Sequence, residues 1–78
     1  MHARLEKIDP SKRQNRFYRL QICQTLFGDW CLVREWGRIG TKGGQKMELW
    51  ASSADDVHRE FQKLLKSKLK RGYVESRA

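Results

Sequence analysis

The sequence predicts an α+β fold: a small antiparallel β-sheet of four to five strands with one C-terminal α-helix packed on one face. Three observations predict it. As far as Ala51, apolar and polar residues alternate with the two-residue period that places side chains on opposite faces of a strand. Turn-forming clusters interrupt the alternating runs at Asp9-Pro10-Ser11, Phe27-Gly28-Asp29 and Gly40-Thr41-Lys42-Gly43-Gly44. After Ser53 the apolar spacing changes to that of a helix, which runs to Gly72.

Each element has its own signal. Ala3 to Ile8 alternates weakly and reads as a short edge strand. Lys12 to Arg16 follows as a basic loop with no apolar anchor. In Phe17 to Thr25, Tyr18, Leu20 and Ile22 alternate with Phe17, Arg19, Gln21 and Cys23. Trp30 to Ile39 continues the pattern, with Cys31, Val33, Gly37 and Ile39 on one face and Trp30, Leu32, Arg34, Trp36 and Arg38 on the other. Gln45 to Ala51 sets Met47, Leu49 and Ala51 against Lys46, Glu48 and Trp50. Ser53 is the expected N-cap, with Asp56 as its capping-box partner. Asp55 and Asp56 suit the positive end of the helix dipole, and Lys66, Lys68, Lys70 and Arg71 suit the negative end. Val57, Phe61, Leu64, Leu65 and Leu69 form the apolar stripe, and Gly72 ends the helix. Tyr73-Val74 either adds a last strand or packs back on the body.

The helix stripe needs an apolar surface, and the expected one gathers Tyr18, Leu20, Ile22, Val33, Ile39, Met47 and Leu49. Glu35 shares that parity and is a mild conflict. The opposite face then carries Arg19, Arg34, Arg38 and Lys46 among Phe17, Trp30, Trp36 and Trp50. Aromatic rings interleaved with cations suit stacking and phosphate neutralisation. Trp30 and Trp50 read as packing residues of a small domain. Trp36, next to the glycine-rich turn, reads as functional. Arg38 is balanced between holding a phosphate and pairing with a carboxylate such as Glu48. Lys42 at the turn tip is balanced between binding and solubility, and Lys63 to Arg71 reads as a solvated helix face. Gly37, without a Cβ, would let another backbone or a sugar-phosphate approach closely.

Charge narrows the partners. The 78 residues hold 17 Lys and Arg against 9 Asp and Glu, a net charge of +8. That balance favours a polyanion, first of all nucleic acid. Cys23 and Cys31 are too few for a disulfide framework, and their parities predict two free thiols on opposite faces. No run approaches a membrane span, and the charged opening residues lack a signal-peptide core, so a cytoplasmic location is expected, nucleoid-associated in a bacterium. His2 and His58 have no nucleophile or carboxylate arrangement beside them, and the two cysteines lack metal-ligand spacing. The glycine-rich turn lacks the order of a nucleotide-binding loop and joins strand to strand. No enzyme activity, metal, cofactor or small-molecule substrate is expected.

Trp36-Gly37-Arg38-Ile39-Gly40 resembles the signature of the WGR domain family. Phe17-Tyr18-Arg19-Leu20-Gln21 resembles the strand that precedes that signature, and Ala54, Phe61, Leu64-Leu65, Lys68 and Gly72-Tyr73 resemble the family's helix and exit. The resemblance covers Leu5 to Tyr73 and implies a single WGR-like domain over residues 1–78. Such domains occur alone in bacterial proteins, in proteins resembling molybdate-metabolism regulators, and in DNA-damage-dependent poly(ADP-ribose) polymerases, where they contact DNA near a break. The resemblance therefore implies a non-enzymatic module that binds nucleic acid, DNA rather than RNA, at ends or breaks. The signature points to Trp36, Gly37 and Arg38, and the charged face and turn tip add Arg34, Lys42, Arg19 and Lys46 as nucleic-acid-binding residues. The alternative is a protein–protein interaction module with a basic surface.

Overall fold

A computed structural model describes residues 1–40 and 44–76. Five strands, β1 (His2–Asp9), β2 (Gln14–Gln24), β3 (Trp30–Arg38), β4 (Gln45–Ala51) and β5 (Val74–Ser76), form one antiparallel sheet in the order β4-β3-β2-β1-β5. A helix, α1 (Ala54–Lys70), packs on one face. No helix among the described residues is long and apolar enough to cross a membrane.

Turn chemistry sets the register. The β2–β3 hairpin closes through Thr25, whose N–H donates to the Asp29 carbonyl at 2.9 Å and whose hydroxyl accepts from the Phe27 and Asp29 N–H groups. Gly28 takes φ +87°, the left-handed conformation that such a loop needs at this point. The loop pairs Gln24 with Trp30, so even-numbered residues of β2 face even-numbered residues of β3: Ile22 with Leu32, Leu20 with Arg34, Tyr18 with Trp36. This corrects the expected faces of β3. Leu32, Trp30, Arg34 and Trp36 share the helix face with Tyr18 and Leu20, while Val33 and Glu35 lie on the open face. Glu35 stands there between Arg19 and Lys46, which resolves its parity conflict. Cys23 and Cys31, expected on opposite faces, lie directly opposite each other in the same ladder and share a face; both are free thiols.

Between β1 and β2 the chain makes one 3-10 turn, Pro10–Lys12, capped by the Asp9 carboxylate accepting from the Ser11 N–H. The Ser11 hydroxyl, donating to the same carboxylate at 2.6 Å, lowers the Asp9 pKa, and the Lys12 and Ser11 N–H groups add to it. The expected basic loop is therefore short, and Gln14 to Arg16 already belong to β2.

Ser53 caps α1 as expected, accepting from the Asp56 N–H at 3.2 Å. The Asp56 carboxylate faces Ser52 and Arg59. At the other end the Tyr73 N–H donates to Lys68 O and the Gly72 N–H to Leu69 O, with Gly72 at φ +93°. This is the paired hydrogen bonding of a Schellman stop, and it turns the chain back toward the sheet. Tyr73 then packs on the core, and Val74–Ser76 pairs with β1, so both expected fates of this segment are realised.

The core joins Ala3 and Leu5 of β1, Tyr18 and Leu20 of β2, and Leu32 of β3 to Val57 and Phe61 of α1. Met47, Leu49 and Leu69, expected inside, are 52%, 41% and 43% exposed: the buried helix–sheet contact is centred on β1, β2 and β3, and Met47 and Leu49 lie on the edge strand β4. Phe61 is 2% exposed at the centre of the helix–sheet contact. Phe61→Ala is expected to cost about 3–5 kcal/mol, a large part of the stability of a small domain. Urea unfolding followed by circular dichroism should show the loss; an unchanged midpoint would place the core elsewhere.

Candidate nucleic-acid interface

Beyond the last turn of α1 the helix face of the sheet opens into a cleft of about 740 Å³. Its floor follows from the register. Tyr18 and Trp36 are cross-strand neighbours, and Arg16 and Arg38 are the next pair on the same face. Asn15 O accepts from the Ile39 N–H at 2.8 Å and holds the strand ends together there. The 3-10 turn brings up Lys12 and Arg13, and α1 with its stop contributes Lys68 and Tyr73. Lys12, Arg13, Arg16, Arg34, Arg38 and Lys68 all line the cleft, and no Asp or Glu stands among its described lining residues.

The cations and rings are interlocked. Trp36 and Tyr18 stack with centroids 6.1 Å apart and planes 22° from parallel. The Arg34 guanidinium lies over the Trp36 ring at 5.2 Å, and the Lys68 ammonium over Tyr18 at 4.5 Å and Tyr73 at 5.7 Å. Tyr73 meets Tyr18 edge-on and carries Lys7 over its ring at 5.9 Å. Trp36 is partly exposed, so one indole serves both the core and the cleft wall.

Burial, with the positive charges of Arg71 and Arg34, pushes the Lys68 pKa below the ordinary lysine value. Burial also raises the Tyr18 phenol. Two enclosed polar atoms, the Tyr18 hydroxyl and Arg34 Nε, find no hydrogen-bond partner among the described residues. Arg34 Nη2 reaches only the soft sulfur of Met47, at 3.2 Å. Crowded like charges and unsatisfied polar atoms are both unfavourable there.

The residues singled out from sequence divide. Trp36, Gly37, Arg38 and Arg34 line the cleft. Arg19 and Lys46 lie on the open face of the sheet, flanking Glu35. Lys42 lies outside the described residues. Arg16, Lys12, Arg13 and Lys68 join the cleft although sequence reasoning had left them in a loop or on a solvated helix face. Arg16 could have been found from its two-residue spacing to Tyr18. Lys68 could have been found from its spacing to Phe61, Leu64 and Leu65 on the buried stripe.

Gly37 admits the first of the two close approaches expected of it, that of another backbone. A Cβ there would point to the open face, 3.0 Å from Gly44 Cα and 3.3 Å from Phe17 Cε1. The close neighbour is the chain itself: β3 and β4 meet glycine to glycine beneath the Phe17 ring, which carries the Arg4 guanidinium at 5.3 Å. His58 is exposed, with Nδ1 2.7 Å from the Ala54 carbonyl and its ring against Trp30. Among the described residues no group of three or more His, Cys, Asp or Glu side chains is placed to hold a metal ion.

Two comparisons bear on this arrangement. The family model described as the WGR domain matches residues 1–78. An uncharacterized protein of Sinorhizobium fredii, y4dW, is 49% identical over 69 residues, which are 88% of this chain and 33% of that protein. The chain thus spans about a third of the length of that relative.

The glycine contact can be tested directly. Gly37→Ala is expected to destabilise the fold by about 1–3 kcal/mol, because backbone on one side and a ring on the other must give way. Chemical denaturation of the two proteins measures the difference. Equal midpoints would mean that the strand pair has room for a methyl group.

Proposed function

Because the chain belongs to the WGR domain family, a family of nucleic-acid-binding modules, we propose that it is a non-enzymatic module that binds DNA at ends or breaks through the basic cleft. The observation that carries this reading is the cleft itself. It sets a partly exposed indole among six cations and no described carboxylate, within a wall of stacked rings. Cations neutralise phosphates without reading sequence, and a ring surface favours an exposed sugar or base. An intact duplex hides its base faces in the stack, whereas an end or a break exposes one. The binding residues are Arg16, Arg34, Trp36, Arg38 and Lys68, with Lys12 and Arg13 at the rim. Arg19 and Lys46, on the other face, contribute only to the long-range field.

The test is a titration of blunt-ended, nicked and closed circular DNA at several salt concentrations. The parent protein should prefer the first two. Arg38→Ala should flatten the slope of log affinity against log salt by about 0.9, one phosphate's share on duplex DNA. Lys68→Gln should act in the same direction, and Arg19→Ala should leave the slope nearly unchanged. Trp36 also packs on the core, so Trp36→Phe is the informative variant: it keeps a ring and should reduce the preference for ends while leaving the slope intact. If folded Arg38 and Lys68 variants bind broken DNA as tightly as the parent, the cleft is not the DNA site, and the interaction-module reading takes its place.

A further inference from the structure

β4 is an edge strand, last in the order β4-β3-β2-β1-β5. Its apolar residues Met47, Leu49 and Trp50 are 52%, 41% and 57% exposed. An open edge with apolar side chains is a template for a further strand.

The ladder shows which backbone groups are available. Ile39 N–H donates to Asn15 O and Thr25 N–H to Asp29 O, so odd-numbered residues of β3 direct their N–H and C=O groups toward β2. Even-numbered residues of β3 therefore face β4 and bond its odd-numbered residues. This leaves Lys46, Glu48 and Trp50 with backbone groups directed outward at the sheet edge. An added antiparallel β4 can bond only by pairing these residues among themselves.

Charge then selects the register. A two-fold axis through Lys46 sets two lysines opposite each other, and one through Glu48 sets two carboxylates opposite each other, both repulsive. An axis through Met47 pairs Lys46 with Glu48 of the partner subunit, and the symmetry makes that pair twice. The same register brings the two Met47 side chains together on the helix face. An axis through Leu49 gives a ladder of the same length but sets Glu48 opposite Trp50 of the partner subunit, with no opposite charges to join.

We infer that β4 is the contact surface for a second copy of this chain, joined antiparallel about Met47 into one continuous ten-stranded sheet. The axis is normal to the sheet, so both helices and both basic clefts lie on the same side of the assembly. A lysine on an edge strand commonly blocks such pairing. Here Glu48, two residues away on the same face, turns that block into a choice of register. The contact is short and belongs to the weak, concentration-dependent class.

Sedimentation equilibrium tests it, with circular dichroism as the control for folding. The parent should move from the mass of one chain toward two as its concentration rises to about 1 mM. Lys46→Glu and Glu48→Lys should each abolish the dimer, since the preferred register then sets like charges opposite. An equal mixture of these two variants should associate as a mixed pair, and the double variant carrying both changes should dimerise like the parent. A parent that stays monomeric to about 1 mM, single variants that dimerise undiminished, or a mixture and a double variant that stay monomeric would overturn the inference.

Discussion

Tyr18 opposite Trp36 is the contact on which the remainder of the molecule depends. The pair is one rung of the β2–β3 ladder, and the ladder's parity decides what every even-numbered side chain of β3 can do. With Tyr18 committed to the helix face, Trp36 and Arg34 must follow. The indole gains a stacking partner, and the guanidinium gains a ring to lie against. The next rung, Arg16 opposite Arg38, places two cations where no apolar surface remains to be covered. The transition from core to basic surface thus occurs along a single strand face within two residues. A shift of one residue would turn Trp36 and Arg34 to the side without the helix.

Closing the cleft falls to the helix, and it does so at its C-terminal end. Lysines there interact favourably with the exposed carbonyls. The Schellman stop at Gly72 then reverses the chain, so that Lys68 and Tyr73 arrive beside Tyr18 from two successive segments. Cations are therefore packed against rings and against one another before any ligand is present. Burial there, with the neighbouring Arg71 and Arg34, depresses the Lys68 pKa.

Much of this was legible in the sequence, and the limits have physical causes. The bounds of β4, the Ser53 cap and the glycine stop of α1 follow from local chemistry, and the α+β class follows from a change of period. The face of β3 did not follow. Parity across a hairpin depends on the number of residues in the loop, and Thr25 to Asp29 offers several turn signals of different length. Leu32 was thereby assigned to the open face, although it is fully buried. Lys68 was misplaced for another reason: a lysine stem packs on aromatic surface while its composition reads as solvent-facing. Trp36 and Arg38 were legible as neighbours on one face, but which face, and with which companions, required the register.

The pairing of β5 with β1 has a consequence for how the molecule assembles. The other strand pairs join neighbours in sequence, whereas Arg4 meets Ser76 across nearly the whole chain. Hairpins close early and locally; a contact between distant segments waits until the intervening chain is ordered. Tyr73, immediately before β5, therefore joins the ring stack late in folding. The same segment is the easiest to release, since its strand is three residues long and lies at an edge. One wall of the cleft thus adjoins a three-residue strand that joins the two ends of the chain, and Tyr73 is held there by α1 through Lys68 O as well as by the strand that follows it.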